Sequence, residues 1–364
     1  MTSNRLIKYI SEHPFIFLIS LGLVASCCMG GMMAALGGGR APAEATVTAA
    51  VPATETAPVL LQATAGAAPS AEVVVSPTVL YTAFPENTAT NQPTTASPTV
   101  ERTVTRSAGP LGVHFIDVGQ GDAILVITPE GLTALIDGGS AGSGVAAYLQ
   151  RQGVERIDLM VATHPHEDHI GGLIQVLEAM PVDRVVTNGQ PHTTATYEHF
   201  LDAILNSKAE YSEVRRGDTI ALGEMAFSVL NPGGTFWDDL NENSIVLRLV
   251  YGQTTLLFMG DAGKAAESSI LAVVLPLKAD ILKVGHHGSC SATSVSFLQT
   301  VQPAVGIYSA GVNNQYGFPC AGTVNALNQF GVLMLGTDIN GSIIVTITED
   351  GYRITNTAGE DLGR

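Results

Sequence analysis

From about residue 110 onward, short apolar runs alternate with turns rich in Gly, Asp and Asn, a pattern that predicts many short elements rather than a few long ones. Strands are expected at 112–116, 123–127, 133–136, 157–162 and 185–186, and then in a β-rich stretch at 219–222, 226–230, 244–250 and 255–259. Further strands fall at 281–284, 305–309, 332–335 and 342–348. Helical spacing predicts helices at 145–151, 170–180, 197–207, 265–271, 295–300 and 324–329. Strands bracket helices in both halves. The expected class is therefore α/β (α+β), a four-layer αββα sandwich of two mixed sheets with helices outside. The pattern ends near 355, leaving 356–364 as an expected flexible tail.

The first 109 residues read differently. Arg5 and Lys8 precede an apolar run over 15–25, followed by Val24-Ala25-Ser26-Cys27. A basic region, an apolar core and small residues before a Cys describe a secretory signal. It resembles a bacterial lipoprotein signal, with Cys27 as the lipidated residue. The alternative is a retained membrane anchor over 1–36, because small and apolar residues continue to Leu36 and a span needs about 20 of them. Either way the remainder is expected to be extracytoplasmic and tethered to the membrane. Residues 37–109 are dominated by Ala, Thr, Pro, Val and Ser without apolar periodicity, and read as a disordered linker.

Candidate chemistry concentrates at 163–172, Thr-His-Pro-His-Glu-Asp-His-Ile-Gly-Gly. His164, His166, Asp168 and His169 directly follow an apolar strand. Period-two alternation would put His164 and His166 on one side, and Asp168 stands where a helix starting near His169 would take its N-cap. Imidazoles with carboxylates suit zinc, manganese or iron. Other strand ends repeat the theme. Asp117, Gln120 and Asp122 lie in a Gly-containing turn. Asp137 precedes Gly138-Gly139 and could either orient a ligand histidine or cap a turn. Asp261 ends an apolar strand, and Gly285-His286-His287-Gly288-Ser289 ends another. A carboxylate and histidines from both halves are what a two-metal site requires, with the ions sharing a hydroxide that attacks the substrate.

With these motifs the chain resembles the metallo-β-lactamase superfamily, and within it the soluble hydrolase domain of ComEC-type competence (DNA-uptake) proteins. The likeness rests on DVGQGDA at 117–123, LIDGG at 135–139, THPHEDHIGG at 163–172, NENSIVLRL at 241–249, LLFMGDA at 256–262, ILKVGHHGS at 281–289 and SAGVNNQYGFP at 309–319. The resemblance implies a free-standing hydrolase domain over 110–355 holding two divalent ions, zinc or manganese. His164 and His166 would hold the first. Asp168, His169 and one of His286 or His287 would hold the second, with Asp261 bridging. The other histidine would face a substrate phosphate, and Asp168 would orient the nucleophile. Asn243, Ser244, Ser289, Asn314 and Tyr316 would shape the pocket or touch substrate. Two departures stand out. No histidine stands clearly where many superfamily members carry a further ligand; His192 and His199 are the only candidates, and each reads as a surface residue. The family's Tyr-Gly-His-Pro is Tyr316-Gly317-Phe318-Pro319 here, so a proton and hydrogen-bond donor is lost. Either substrate preference has drifted, or activity is below the family norm.

Charge narrows the partners. From residue 110 onward there are 12 Lys and Arg against 27 Asp and Glu, a net charge of −15. Nucleic-acid affinity comes largely from phosphate neutralisation, and the only basic pair is Arg215-Arg216. The expected partner is a phosphoester substrate, DNA ends included, without a basic binding surface; no protein partner is inferable. Cys290 and Cys320 follow two motifs that border the site in the family fold, and in an oxidising compartment would form a disulfide; the alternative is two buried apolar thiols. The expected activity is a phosphodiesterase or nuclease-like hydrolase. The competing readings are a hydrolase of a lactam, thioester or carboxylic ester on the same fold, and a non-catalytic metal-binding module.

Overall fold

The computed structural model describes residues 109–363. The signal or anchor segment, Cys27 and the linker up to 108 lie outside the described residues. The first half runs β1 (Leu111–Phe115), β2 (Ile124–Ile127), β3 (Thr133–Ile136), α1 (Val145–Arg151), β4 (Leu159–Ala162), α2 (Glu167–Ala179), β5 (Arg184–Thr187), α3 (Ala195–Ser207) and β6 (Glu210–Glu213). Then follow β7 (Thr219–Leu222), β8 (Met225–Asn231), β9 (Val246–Tyr251), β10 (Thr254–Phe258), α4 (Lys264–Leu271) and β11 (Ile281–Lys283). The remainder is α5 (Val295–Val301), β12 (Val305–Tyr308), α6 (Ala321–Gln329), β13 (Leu333–Gly336), α7 (Thr337–Asn340), β14 (Ile343–Thr348), β15 (Gly351–Asn356) and β16 (Asp361–Gly363).

Two mixed sheets result. One has the order β16-β15-β14-β1-β2-β3-β4-β5-β6, the other β13-β12-β11-β10-β9-β8-β7. Period-two alternation sorts their side chains into three cores. Leu111, Val113, Phe115, Leu159 and Val161 meet Phe227, Leu247, Leu256, Phe258 and Ile281 between the sheets. Leu125, Met160 and Val185 face the other way, onto α1, α2 and α3 through Leu149, Leu173 and Phe200. Leu257 and Leu282 face α4 and α5 through Ile270 and Leu298. This is the expected αββα sandwich.

Three details differ from the sequence reading. The domain does not end in a flexible tail: β15 runs to Asn356 and β16 pairs with it, giving the sheet an antiparallel edge. β6 is an added edge strand whose Glu-Tyr-Ser-Glu sequence is largely exposed, so it carries no apolar signature. Helix α2 starts at Glu167 with His166 in the N-cap position, which moves Asp168 into the first turn rather than the cap.

His114 is the polar exception in β1. Its Nδ1 meets the Tyr148 hydroxyl of α1 at 2.9 Å in a buried site, and burial pushes its pKa down to about 4. The folded state thus keeps His114 neutral where the unfolded chain would protonate it, so its contribution is complete above about pH 6.5 and lost as pH falls toward 4. The His114→Gln variant is expected to lose about 3 kcal/mol less stability than the parent between pH 7 and pH 4. Urea unfolding at the two pH values measures this, and equal losses in both proteins would refute it.

Candidate metal centre

Neighbouring parallel strands β3 and β4, and β10, β11 and β12, end on one rim, where the turns after them converge. Asp137 follows β3, the His164 turn follows β4, Asp261 follows β10, the His286-His287 turn follows β11 and Ser309 follows β12. The close approach of α2 to the turn after β3 depends on glycine. Gly172 N donates to Gly139 O at 2.8 Å, and a methyl group on Gly172 would overlap the Gly138 carbonyl. Backbone in the left-handed region also marks this rim: Asp137, His286 and His287 have φ of 57°, 47° and 54°. Strain of that kind persists where the surrounding structure fixes it.

Asp261 is the hub. Its Oδ2 lies 3.3 Å from His169 Nε2, 3.4 Å from His287 Nε2, 3.8 Å from His286 Nε2 and 3.9 Å from His164 Nε2. His164 Nε2 and His166 Nδ1 are 3.0 Å apart, and Asp168 Oδ2 is 3.3 Å from His287 Nε2. His164, His169 and Asp261 form one group able to hold an ion, and Asp168, His169 and His287 another. His164 and His166 do not sit on a strand; β4 stops at Ala162, and the Thr163–Pro165 turn brings their rings together.

The donors are oriented from behind. Asp137 accepts from Thr163 N at 2.8 Å, Thr163 Oγ1 at 2.7 Å and His169 Nδ1 at 2.8 Å. That fixes the His169 ring with Nε2 toward Asp261, the first of the two roles open to Asp137. His287 Nδ1 donates to Ser309 O at 2.9 Å and lies 3.3 Å from Asp122 Oδ1. Ser244 Oγ accepts from Asp261 N at 3.1 Å and lies 3.3 Å from His164 Nδ1. Three buried atoms at the hub, Asp261 Oδ1, His169 Nε2 and His287 Nε2, have no hydrogen-bond partner. Buried polar groups rarely go unpaired; carboxylate and imidazole atoms facing one another in this way fit divalent ions.

The same crowding sets the charges. Burial drives His169 and His287 toward the neutral form, but the facing carboxylates outweigh it and hold both pKa values well above the usual range. Burial would raise the Asp261 carboxyl, yet His287 and His169 hold it well below its usual value. The adjacent histidines separate by exposure: His287 is 1 % exposed, whereas His286 is 24 % exposed, with Nδ1 on Ser291 Oγ. His287 is therefore the better-placed candidate ligand, and His286 faces the open side.

The other sequence candidates fall in different places. Asp122 belongs to the centre, behind His287. Asp117 is exposed and accepts from Gly119 N in a local turn. Gln120 Oε1 reaches Gly311 N at 3.5 Å, tying two loops. Asn243 is buried and spends its amide on Trp237 and Asp239, building the loop before β9 rather than facing the centre. Ser289 Oγ contacts Ser291. Asn314 braces its own loop, and Tyr316 lies on Phe318. His199 is a surface residue on α3, as expected. His192 is a half-exposed loop residue, and the loop after β5, held by Asn188 Nδ2 on Asn243 O, places its ring 6.0 Å from the His166 ring. Cys290 and Cys320 are joined in a disulfide with Cα atoms 5.5 Å apart.

One participant carries no sequence prediction. Lys283 is fully buried, with Nζ 2.7 Å from Asp122 Oδ2 and 3.0 Å from Val284 O. Burial raises the Asp122 carboxyl, but Lys283 and His287 outweigh it and hold its pKa at about 2. The available signal was a lysine two residues after Ile281, on the side of β11 that faces the inter-sheet core.

The family described as the metallo-beta-lactamase superfamily matches residues 116–312. ComE operon protein 3 of Bacillus subtilis is 32 % identical over 266 residues, 68 % of this chain and 33 % of that protein. Recombination protein 2 of Haemophilus influenzae is 30 % identical over 249 residues, 66 % of this chain and 29 % of that protein. The chain thus spans about a third of the length of these relatives. Among solved structures, the metallo-beta-lactamase fold protein YhfI of Bacillus subtilis has a TM-score of 0.45 at 14 % identity, covering 62 % of this chain and 95 % of that one. Over half its length, including the rim where the histidines and carboxylates gather, this chain belongs to the metallo-beta-lactamase superfamily of metal-dependent hydrolases.

Proposed function

We propose that the chain is a phosphodiesterase that works with two divalent ions, zinc or manganese. The observation that carries this reading is the position of Asp261 Oδ2, 3.3–3.9 Å from four histidines drawn from both halves of the domain. Two ions so held would supply Lewis acidity and a water nucleophile at neutral pH. His164 and His166 would hold one, with His192 near enough to contribute; Asp168, His169 and His287 would hold the other; Asp261 would serve both. The Asp168 side chain, 29 % exposed, is open to solvent and accepts a hydrogen bond from the attacking water. His286 Nε2 faces the same opening and donates to a phosphate oxygen. Asp137, Ser244 and Ser309 keep the rings turned inward.

The competence and recombination names of the relatives support DNA ends as one such phosphodiester. The net charge of −15 supports trimming of ends or small phosphodiesters over grip on a long duplex. The N-terminal signal or anchor supports a place outside the cytoplasm, tethered to the membrane. A second reading, hydrolysis of a lactam, thioester or carboxylic ester, draws on Phe318, which removes a phosphate-facing donor. One panel separates them: bis(p-nitrophenyl) phosphate, nitrocefin and a thioester, each assayed with manganese or zinc, alongside metal analysis. Turnover of the phosphodiester alone, lost on chelation and regained with metal, is expected. Nitrocefin or thioester turnover exceeding it transfers the assignment to the second reading.

A further inference from the structure

An aromatic step stands on the open side of the centre, in the loop after β12. Phe318 meets His286 edge-on, with centroids 5.6 Å apart and planes at 64°, and lies 6.2 Å from the His287 ring. Tyr316 stacks on Phe318 at 5.5 Å and 16°. The rings form a file that leads outward from the two histidines. Although one face of Tyr316 lies on Phe318, the residue is 58 % exposed, and Val312 in the same loop is 68 % exposed. The loop is firmly held. Asn314 Nδ2 donates to Gly311 O at 3.1 Å and Phe318 O at 2.7 Å, and Phe318 N donates to Asn314 Oδ1 at 2.9 Å. The Cys290–Cys320 disulfide fixes the loop's end to the histidine turn. Phe318 is anchored against the core beneath α4 and α5, whereas Tyr316 stands exposed above it; an aromatic surface kept in place in this way beside a reactive centre marks a binding surface.

We propose that Tyr316 and Phe318 are a stacking platform that selects phosphoesters carrying a nucleobase next to the scissile group. The proposal rests on the phosphoesterase reading. Stacking suits this domain because it draws affinity from the π-face of a base and needs no basic surface, which an acidic domain does not offer. It also gives Phe318 a use: the ring forgoes the family's hydrogen-bond donor and extends the aromatic face toward the histidines.

The test compares adenosine 5′-monophosphate with ribose 5-phosphate, which lacks only the base, by calorimetry on the manganese-loaded full chain. The nucleotide is expected to bind about tenfold tighter, ~1.4 kcal/mol and within the range of base–aromatic stacking. Tyr316→Ala should bring the ratio to about one, and Tyr316→Trp should preserve it. A ratio near one in the parent, a ratio that survives Tyr316→Ala, or no binding of either ligand overturns the platform. Turnover is scored separately, with thymidine 5′-p-nitrophenyl phosphate against methyl p-nitrophenyl phosphate. A nucleotide preference in KM supports the platform. A base-dependent binding ratio with no turnover of either ester refutes the phosphodiesterase reading and leaves the platform standing.

Discussion

Replacing Asp261 with alanine is expected to lower turnover about 10³-fold and to remove most of the bound metal. The size follows from position. Oδ2 is the only carboxylate oxygen in the described structure within 4.0 Å of His164, His169, His286 and His287 together, and Oδ1 is buried without a partner. Loss of this side chain takes a ligand from both candidate ions at once. Lewis-acid stabilisation amounts to several kcal/mol, and each ~1.4 kcal/mol is tenfold in rate. Asp261→Asn preserves shape and volume but not charge, and should fall nearly as far. Elemental analysis and steady-state kinetics, with near-ultraviolet circular dichroism to establish folding, provide the check. Turnover within tenfold of the parent in a folded, metal-poor variant would show that the chemistry does not depend on a shared carboxylate.

Much of this centre was legible in the chain because its parts sit in short segments at strand ends. His164, His166, Asp168 and His169 crowd one turn, and apolar runs before Asp137, Asp261 and His286 announce where each side chain emerges. The apolar runs likewise marked most of the strands whose side chains fill the inter-sheet core. What escaped was long-range or polar. β6 and β16 owe their pairing to neighbouring strands rather than to apolar content. His192 is a candidate that its polar neighbours mark as a surface residue; its nearness to His166 depends on long-range contacts such as the hydrogen bonds of Asn188 and Gln190 to the 237–243 segment. The choice between His286 and His287 depends on two consecutive left-handed residues, which turn one ring inward and leave the other at the opening. No local pattern encodes that.

Lys283 carries the other large expected effect, in stability rather than turnover. Lys283→Met should destabilise the domain by about 3–5 kcal/mol, the usual consequence of breaking a buried ion pair by removing one partner. Methionine fills much of the same volume, so the loss comes from electrostatics. Asp122 Oδ2 would lose its 2.7 Å contact with Nζ and remain buried, with His287 Nδ1, 3.3 Å from Oδ1, as its nearest remaining partner. The pair is not worth that much in itself, since apolar replacement of both partners is often neutral. The double variant Lys283→Met/Asp122→Leu is therefore expected to recover at least half of the loss in urea unfolding. Its recovery should stop at stability. Asp122 also lies against Nδ1 of His287, and removal of a group that orients a ligand histidine typically weakens metal binding 10- to 100-fold. Metal titration of the double variant should show that weakening even as the unfolding midpoint returns. If the double variant instead matches the parent in metal affinity, the buried pair serves the fold alone, and Ser309 O suffices to hold His287 in place.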